Sequence, residues 1–134
     1  MSRRPHYLQP LLRPGASAHV LRNARTGIVV ARTLEIAADS ESRRRGLLGR
    51  TSLADDAVMI IAPCNAVHMF FMKFSIDVVF TDGEGRVLKI CARLRPWRIA
   101  VATRAFCALE FAAGAMTKTG TSVGDRLELV ETPT

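Results

Sequence analysis

A chain of 134 residues suffices for one domain with a hydrophobic core, and its 49% hydrophobic and 23% charged residues exclude a long disordered protein. The net charge of +7 is confined to residues 1–50, which hold ten basic and three acidic residues, whereas residues 51–134 hold nine of each. This distribution excludes a uniformly basic nucleic-acid-binding fold and indicates a neutral body with a basic arm.

Residues 1–18 carry scattered arginines and prolines without a strand or helix period, which predicts a flexible basic N-terminal arm. Every apolar stretch there is interrupted, so we expect neither a signal peptide nor a membrane span. A single β-rich globular domain is predicted over residues 19–131, followed by a C-terminal tail at 132–134. The three cysteines lack a metal-type spacing and are typical of a reducing compartment, so we expect a cytoplasmic protein.

Short β-forming runs separated by turn residues dominate the domain. The predicted strands cover residues 19–23, 28–36, 58–62, 67–81, 86–93, 104–111 and 126–131. The 67–81 run alternates apolar and polar positions, but it exceeds the usual strand length of about 3–10 residues. We therefore expect a break in it near Phe74 and Ser75.

One short helix is predicted after residue 38, with Asp39 as its N-cap and the arginines at 43–45 towards its carboxyl end. Gly49 fits the position that follows the last turn of a helix. Residues 114–119 are expected to form at best one loose turn. Together these elements predict a mainly β (α+β) fold: a small, mostly antiparallel, closed or half-closed β-barrel-like domain with one short helix packed on it.

Cys64 and His68 form the first candidate site, because a nearby imidazole can lower the pKa of a thiol and make it nucleophilic. Asp77 could orient the imidazole if the predicted strand break turns both side chains to one side. The alternative is a small buried cysteine and a histidine bonded to backbone, and we favour it because the catalytic set is incomplete. Two ligands are too few for a structural zinc site, so we expect no metal and no other cofactor.

Trp97 and Arg98 form the second candidate site. Arginines that alternate with an aromatic residue can grip phosphates and stack a base. Because the surrounding body is neutral, we favour the alternative, in which Trp97 folds back as a lid on the core and the arginines are solvated. The neighbouring arginines are Arg93, Arg95 and Arg104.

The chain resembles the widespread bacterial and archaeal family called domain of unknown function 192, in order from about His19 to Val130. The stretches that carry the resemblance are RRGLLGR (44–50), CNAVH (64–68), FMKFSIDVVF (71–80), PWR (96–98), LE (109–110) and GD (124–125). Two positions depart from the family pattern, since Ser75 stands where proline is usual and Met69 where threonine is usual. The resemblance implies a compact, largely β domain with the helix on one side, and it implies no established activity.

The leading functional hypothesis is a non-catalytic module that binds a small molecule or a protein where His68, Asp77, Trp97 and Arg98 approach one another. The first alternative is a cysteine-dependent enzyme that uses Cys64 with His68 and Asp77. The second is a nucleic-acid-binding module that uses the basic arm. A membrane partner is not expected.

Overall fold

The structure, a computed structural model, describes residues 5–15 and 18–132. A short 3₁₀ helix covers Gln9–Leu12. The strands are β1 (His19–Asn23), β2 (Val29–Ala31), β3 (Thr33–Ala37), β4 (Ala57–Ile61), β5 (Ala66–His68), β6 (Ile76–Thr81), β7 (Val87–Leu94), β8 (Ile99–Val101), β9 (Cys107–Ala112) and β10 (Leu127–Glu131). Two short helices are α1 (Ser40–Arg45) and α2 (Ala115–Thr119). The mostly β composition is therefore confirmed, with two α-helices instead of one in the part of the chain that the structure describes.

In the described residues the strands form three sheets. A five-stranded sheet has the order β3-β4-β9-β6-β7, with β3 and β4 parallel and the other pairs antiparallel. A three-stranded antiparallel sheet has the order β10-β1-β2, and β5 pairs with β8 in a two-stranded ribbon. Within residues 5–15 and 18–132 no sheet closes on itself, so the barrel-like prediction is not confirmed.

Both faces of the five-stranded sheet are covered at its central strand β9, whose residues 107–111 are all buried. Leu109 and Phe111 point into a core shared with the three-stranded sheet, where they meet Leu21 and Leu127. Ala108 points to the opposite face, into a second core that the chain after α1 and the β5–β8 ribbon cover. Alternation along a strand explains both assignments, and it directs Glu110 to the second face as well.

Two long β-forming runs are divided in the structure. The run at 28–36 breaks at Arg32, whose backbone N–H donates to Asp56 O at 2.7 Å, so its halves join different sheets. The run at 67–81 breaks earlier and over more residues than predicted, because Met69 bonds to the 95–98 loop instead. Its N–H donates to the carbonyl of Arg98 at 2.7 Å.

The segment predicted as an arm contributes apolar side chains to the core. Leu8 is fully buried, and the Tyr7 hydroxyl lies 2.8 Å from Thr81 Oγ1. The flexibility of the arm and the domain boundaries stay predictions, and residues 1–4, 16–17 and 133–134 of the predicted arm and tail lie outside the described residues. Both α-helices in the described ranges are too short and too polar to cross a bilayer.

Candidate functional site

Glu110 is a buried acid on the central strand of the larger sheet. Its side chain faces the second core beside Met59 and Val78, its register partners on β4 and β6. The residue is 4% exposed, and no partner for Oε1 exists among the described residues. Burial raises the pKa of Glu110 to about 7, because the charged form loses its hydration without gaining a hydrogen bond. Such an orphaned carboxyl in a core is costly and calls for an explanation.

Gly46 brings the end of helix α1 over this carboxyl. Asp39 caps the helix by accepting from Ser42 N–H, as predicted, but the helix ends at Arg45, three residues before the position we expected from Gly49. Gly46 has φ 45° and ψ −122°, a conformation that disfavours any side chain. A Cβ there would lie 3.6 Å from Glu110 Oε1. That distance is an ordinary van der Waals contact, so it is the positive φ, and not a lack of space beside the acid, that favours glycine here.

A cavity of about 80 Å³ lies between α1, β5 and β9, and Glu110 is part of its lining. Its apolar lining includes Leu47, Leu48, Ile61, Val67 and Met72. Arg43 and Arg45 add positive charge to the lining, to which His68 also belongs. Arg45 pairs with Glu41 at 3.2 Å, whereas Arg43 has no ion-pair partner in the described part of the chain. The cavity thus combines one buried acid with a basic, partly exposed lining.

His68 belongs to this cavity, but it does not activate Cys64, as the less favoured alternative required. The Cys64 thiol donates to the carbonyl of Ala66 at 3.2 Å, and the described residues include no hydrogen bond between it and the imidazole. Burial raises the pKa of the Cys64 thiol, which is the reverse of what a nucleophile needs. The imidazole instead stacks on Phe70, with ring centroids 4.8 Å apart.

We expect Cys64 to alkylate slowly at pH 7 and faster only as the pH passes the ordinary thiol pKa of about 8.5. Iodoacetamide labelling followed by peptide mass spectrometry between pH 6 and pH 10 measures this directly, with glutathione as the reference thiol. A plateau of rapid Cys64 labelling below pH 7 would instead establish an activated thiolate.

Asp77 lies on the other side of the sheet from His68, so the predicted convergence of the two does not occur. Asp77 is fully buried and pairs in register with Phe111 of the first core. Its carboxylate accepts backbone N–H groups from Arg93 (2.8 Å), Gly114 (3.1 Å) and Met116 (2.9 Å). These bonds tie β6, β7 and the start of α2 together, which gives Asp77 a structural position.

Trp97 is not the lid on the core that we favoured. The indole is 59% exposed and packs against Phe71, which is 72% exposed, with ring centroids 4.8 Å apart. Phe70 links Trp97 to His68 through a second ring contact at 5.9 Å. Arg98 is exposed beside them. The structure therefore brings His68, Trp97 and Arg98 into one region and leaves Asp77 out of it.

Within the described ranges, no three or more histidine, cysteine, aspartate or glutamate side chains are grouped so that they could hold a metal ion. All three cysteines are free thiols.

The profile of the DUF192 family, described as "Uncharacterized ACR", matches residues 21–129. The chain belongs to this family. A UPF0127 protein of Thermococcus sibiricus is 32% identical to it over 115 residues, covering 81% of this chain and 73% of the relative. A UPF0127 protein of Pyrococcus abyssi is 40% identical over 65 residues, which span 48% of this chain and 55% of the relative.

Two crystal structures share the DUF192 fold described above. A protein of unknown function from Novosphingobium aromaticivorans is 26% identical, with a TM-score of 0.71 and coverage of 82% of both chains. A protein from Sinorhizobium meliloti, named as a candidate transcription regulator, is 26% identical, with a TM-score of 0.72. That match covers 83% of this chain and 91% of the other.

Glu110 and Gly46 are the site residues that our sequence reasoning did not single out. Both lie in stretches that carry the DUF192 resemblance, and Glu110 is a lone acid in the otherwise apolar run 105–112. An unpaired charge in a buried strand is a usable signal, since such groups are rarely left inside without a role. Gly46 gives a weaker signal because glycine also ends helices.

Proposed function

We propose that this DUF192 protein is a non-catalytic binding module whose Glu110 cavity takes a small organic anion bearing a hydroxyl or similar uncharged hydrogen-bonding group. The observation that carries the proposal is the buried, unpartnered Glu110 Oε1 in the lining of a cavity. A hydrogen-bonding ligand would satisfy this oxygen, and a buried polar group without a partner costs about 1–3 kcal/mol.

The size of the cavity limits the group that enters it. About 80 Å³ corresponds to two or three water molecules at ~30 Å³ each, so only a few heavy atoms fit. The apolar lining from Leu47, Ile61 and Met72 suits a short carbon chain. A small hydroxy acid meets both conditions.

The basic residues favour an anionic end on this ligand. Arg43 lacks an ion-pair partner among the described residues, and Arg45 lies in the same lining. Guanidinium groups bind carboxylates and phosphates well, because their donors match two oxygens at once. A ligand ammonium is disfavoured, since it would have to pass these cations and meet a Glu110 that is largely neutral below pH 7.

Binding without catalysis is supported by the raised pKa of Cys64 and by its bond to a backbone carbonyl. The cytoplasm remains the compartment that we propose, and the three free thiols support it. Nucleic-acid binding through the arm stays a prediction, because Arg3 and Arg4 lie outside the described residues. Ester or thioester hydrolysis that Cys64→Ser abolishes would overturn the non-catalytic proposal.

Thermal unfolding at pH 6 with glycolate, lactate, acetate and propionate tests the ligand class. We expect glycolate or lactate to raise the Tm and the two acids without a hydroxyl to act more weakly. A ligand at about one hundred times its Kd adds about 2.7 kcal/mol to the free energy of unfolding. The affinity should fall as the pH rises through 7, because a charged Glu110 repels the ligand anion.

Matched variants on one helix separate site binding from general charge effects. Arg43→Gln should weaken binding about tenfold, as expected for a lost charge-assisted bond. Arg44→Gln should leave the affinity unchanged, because Arg44 is exposed and outside the cavity lining. Equal responses of the two variants, or no response to any of the four acids in the parent protein, would contradict the proposal.

A further inference from the structure

A continuous apolar surface covers the outer side of the β5–β8 ribbon. His68 and Ile99 are register partners, so their side chains share one side of the ribbon. His68 stacks on Phe70, Phe70 contacts Trp97, and Trp97 contacts Phe71. Ile99 is 59% exposed although it is an isoleucine in a strand. Contiguous exposure of this kind marks interaction sites more often than scattered apolar residues do.

We call this surface the ribbon face and define it by Phe71, Trp97, Ile99 and Val101. Val101 is 45% exposed and alternates with the buried Ala100, so it lies on the same side as Ile99. The inner side of the ribbon packs into the second core. The outer side is therefore apolar, like a surface that faces a core, but none of the described elements packs on it.

The backbone holds the two largest side chains of the ribbon face in an unfavourable conformation. Phe71 has φ 64° and Trp97 has φ 70°, values that are uncommon outside glycine and rarer still for bulky residues. Hydrogen bonds over-determine the geometry, since Met69 accepts from the Trp97 N–H at 2.8 Å and donates to Arg98 O at 2.7 Å. Strain that persists at exposed aromatic residues is typical of binding surfaces.

The surroundings of the ribbon face are basic. Lys73, Arg95 and Arg98 are exposed around it, and their side chains have no anionic partner in the described ranges. The chain contains no acidic residue between Asp56 and Asp77 or between Glu84 and Glu110. An occupant with negative charge around an apolar centre complements this pattern.

We infer that the ribbon face binds an extended, acidic and apolar segment of another protein. The ribbon has only two strands, and no further strand pairs with either edge in the described residues, so a segment can add to an edge through backbone bonds. The exposed side chains of Ile99 and Val101 can pack against alternate side chains of such a segment. Nucleic-acid bases stack on aromatic rings instead, so these two aliphatic residues favour a peptide. A second copy is disfavoured because it would bring Lys73, Arg95 and Arg98 against one another.

Selection of displayed random peptides of about ten residues, the length of a strand, tests this inference on the full chain. We expect enriched peptides in which acidic residues alternate with valine, isoleucine or aromatic residues. Trp97→Ala and Ile99→Ser should each lower the affinity for the best peptide about tenfold. Arg98→Glu should lower it by a similar factor, and the remaining affinity should depend less on salt concentration. All three side chains are exposed, so thermal unfolding should change little.

Matched controls are Val123→Ser, an equally exposed apolar residue elsewhere at 61%, and Arg44→Glu. Both should leave peptide affinity unchanged. The same variants are titrated with a thymidine oligonucleotide and with vesicles of anionic phospholipid. The inference would be overturned if no peptide is enriched or if the enriched peptides lack acidic residues. It would also be overturned if all variants bind the peptide equally, or if the variants lose affinity only for the oligonucleotide or the vesicles.

The ribbon face and the Glu110 cavity fail independently. Glu110→Gln alters the cavity and leaves Trp97 and Ile99 in place, so it should leave peptide binding unchanged. If the parent protein binds peptide but none of the hydroxy acids, the proposed function alone is overturned. If it binds a hydroxy acid but no peptide, this inference alone is overturned.

Discussion

Replacing Glu110 by glutamine is expected to stabilise the protein at pH 8 by about 3 kcal/mol. In the folded state the pKa of Glu110 is about 7, against an ordinary value of 4.5, because burial disfavours the charge. Each unit between the two values corresponds to about 1.4 kcal/mol. Glutamine has a similar shape and carries no charge, so it removes this cost. Urea denaturation at several pH values measures the difference.

The sign of the pH dependence follows from proton binding. Between pH 4.5 and pH 7 the folded protein holds the Glu110 proton and the unfolded chain releases it, so rising pH favours unfolding. The full stability is present below about pH 4.5, falls as the pH rises to 7, and is constant above that. Glu110→Gln should abolish this loss, and the two proteins should differ by less than about 1 kcal/mol at pH 4.5.

The comparison of parent and variant isolates Glu110, because every other titrating group is present in both. Asp56→Asn, a change at an exposed carboxyl, is the matched control and should shift stability by less than about 0.5 kcal/mol at any pH. A difference between parent and Glu110→Gln that does not change with pH would show that the pKa of Glu110 is the same in the folded and unfolded states.

Replacing Asp77 by alanine is expected to lower the free energy of unfolding by about 4 kcal/mol. The substitution leaves three backbone N–H groups without their acceptor, each at a cost of about 1–3 kcal/mol, reduced where water reaches them. It also releases Arg93, whose φ of 51° is held by one of these bonds. Urea denaturation at pH 7 gives the value.

The free energy of unfolding of Asp77→Asn should lie between those of Asp77→Ala and the parent protein. The amide oxygen can keep the bonds to Arg93 and Gly114, which share Oδ1, while the amide nitrogen faces the Met116 N–H. Asp55→Ala, at an exposed carboxyl, is the control and should have little effect. A loss below about 1 kcal/mol for Asp77→Ala would return Asp77 to the candidate binding residues.

Local patterns in the sequence determined most of the secondary structure. The Asp39 cap, the strands at 19–23 and 126–131, and the all-apolar strand β4 follow from capping chemistry and side-chain alternation alone. The same patterns missed the division at Arg32, and they placed the break in the 67–81 run at Phe74 and Ser75 without its start at Met69. Hydrogen bonds to the distant backbone groups of Asp56 and Arg98 cause these two features.

The candidate site was only half predictable, for a similar reason. His68, Trp97 and Arg98 were singled out by residue type, and they lie in one region. Asp77 was grouped with them because its carboxylate has suitable chemistry. In the structure this carboxylate instead accepts hydrogen bonds from three backbone N–H groups on β7 and around α2. Glu110 was overlooked because one acid in a short strand has no spacing pattern.

The sequence by itself determined the family, the mostly β composition and the residues that are exceptional for their context. The tertiary structure decided which of these meet. Sheet order places Glu110 on the central strand under the end of α1, and pleating directs Asp77 to the opposite face. Side-chain alternation is local and readable, whereas strand order arises from contacts between residues distant in the chain, which a linear pattern does not encode.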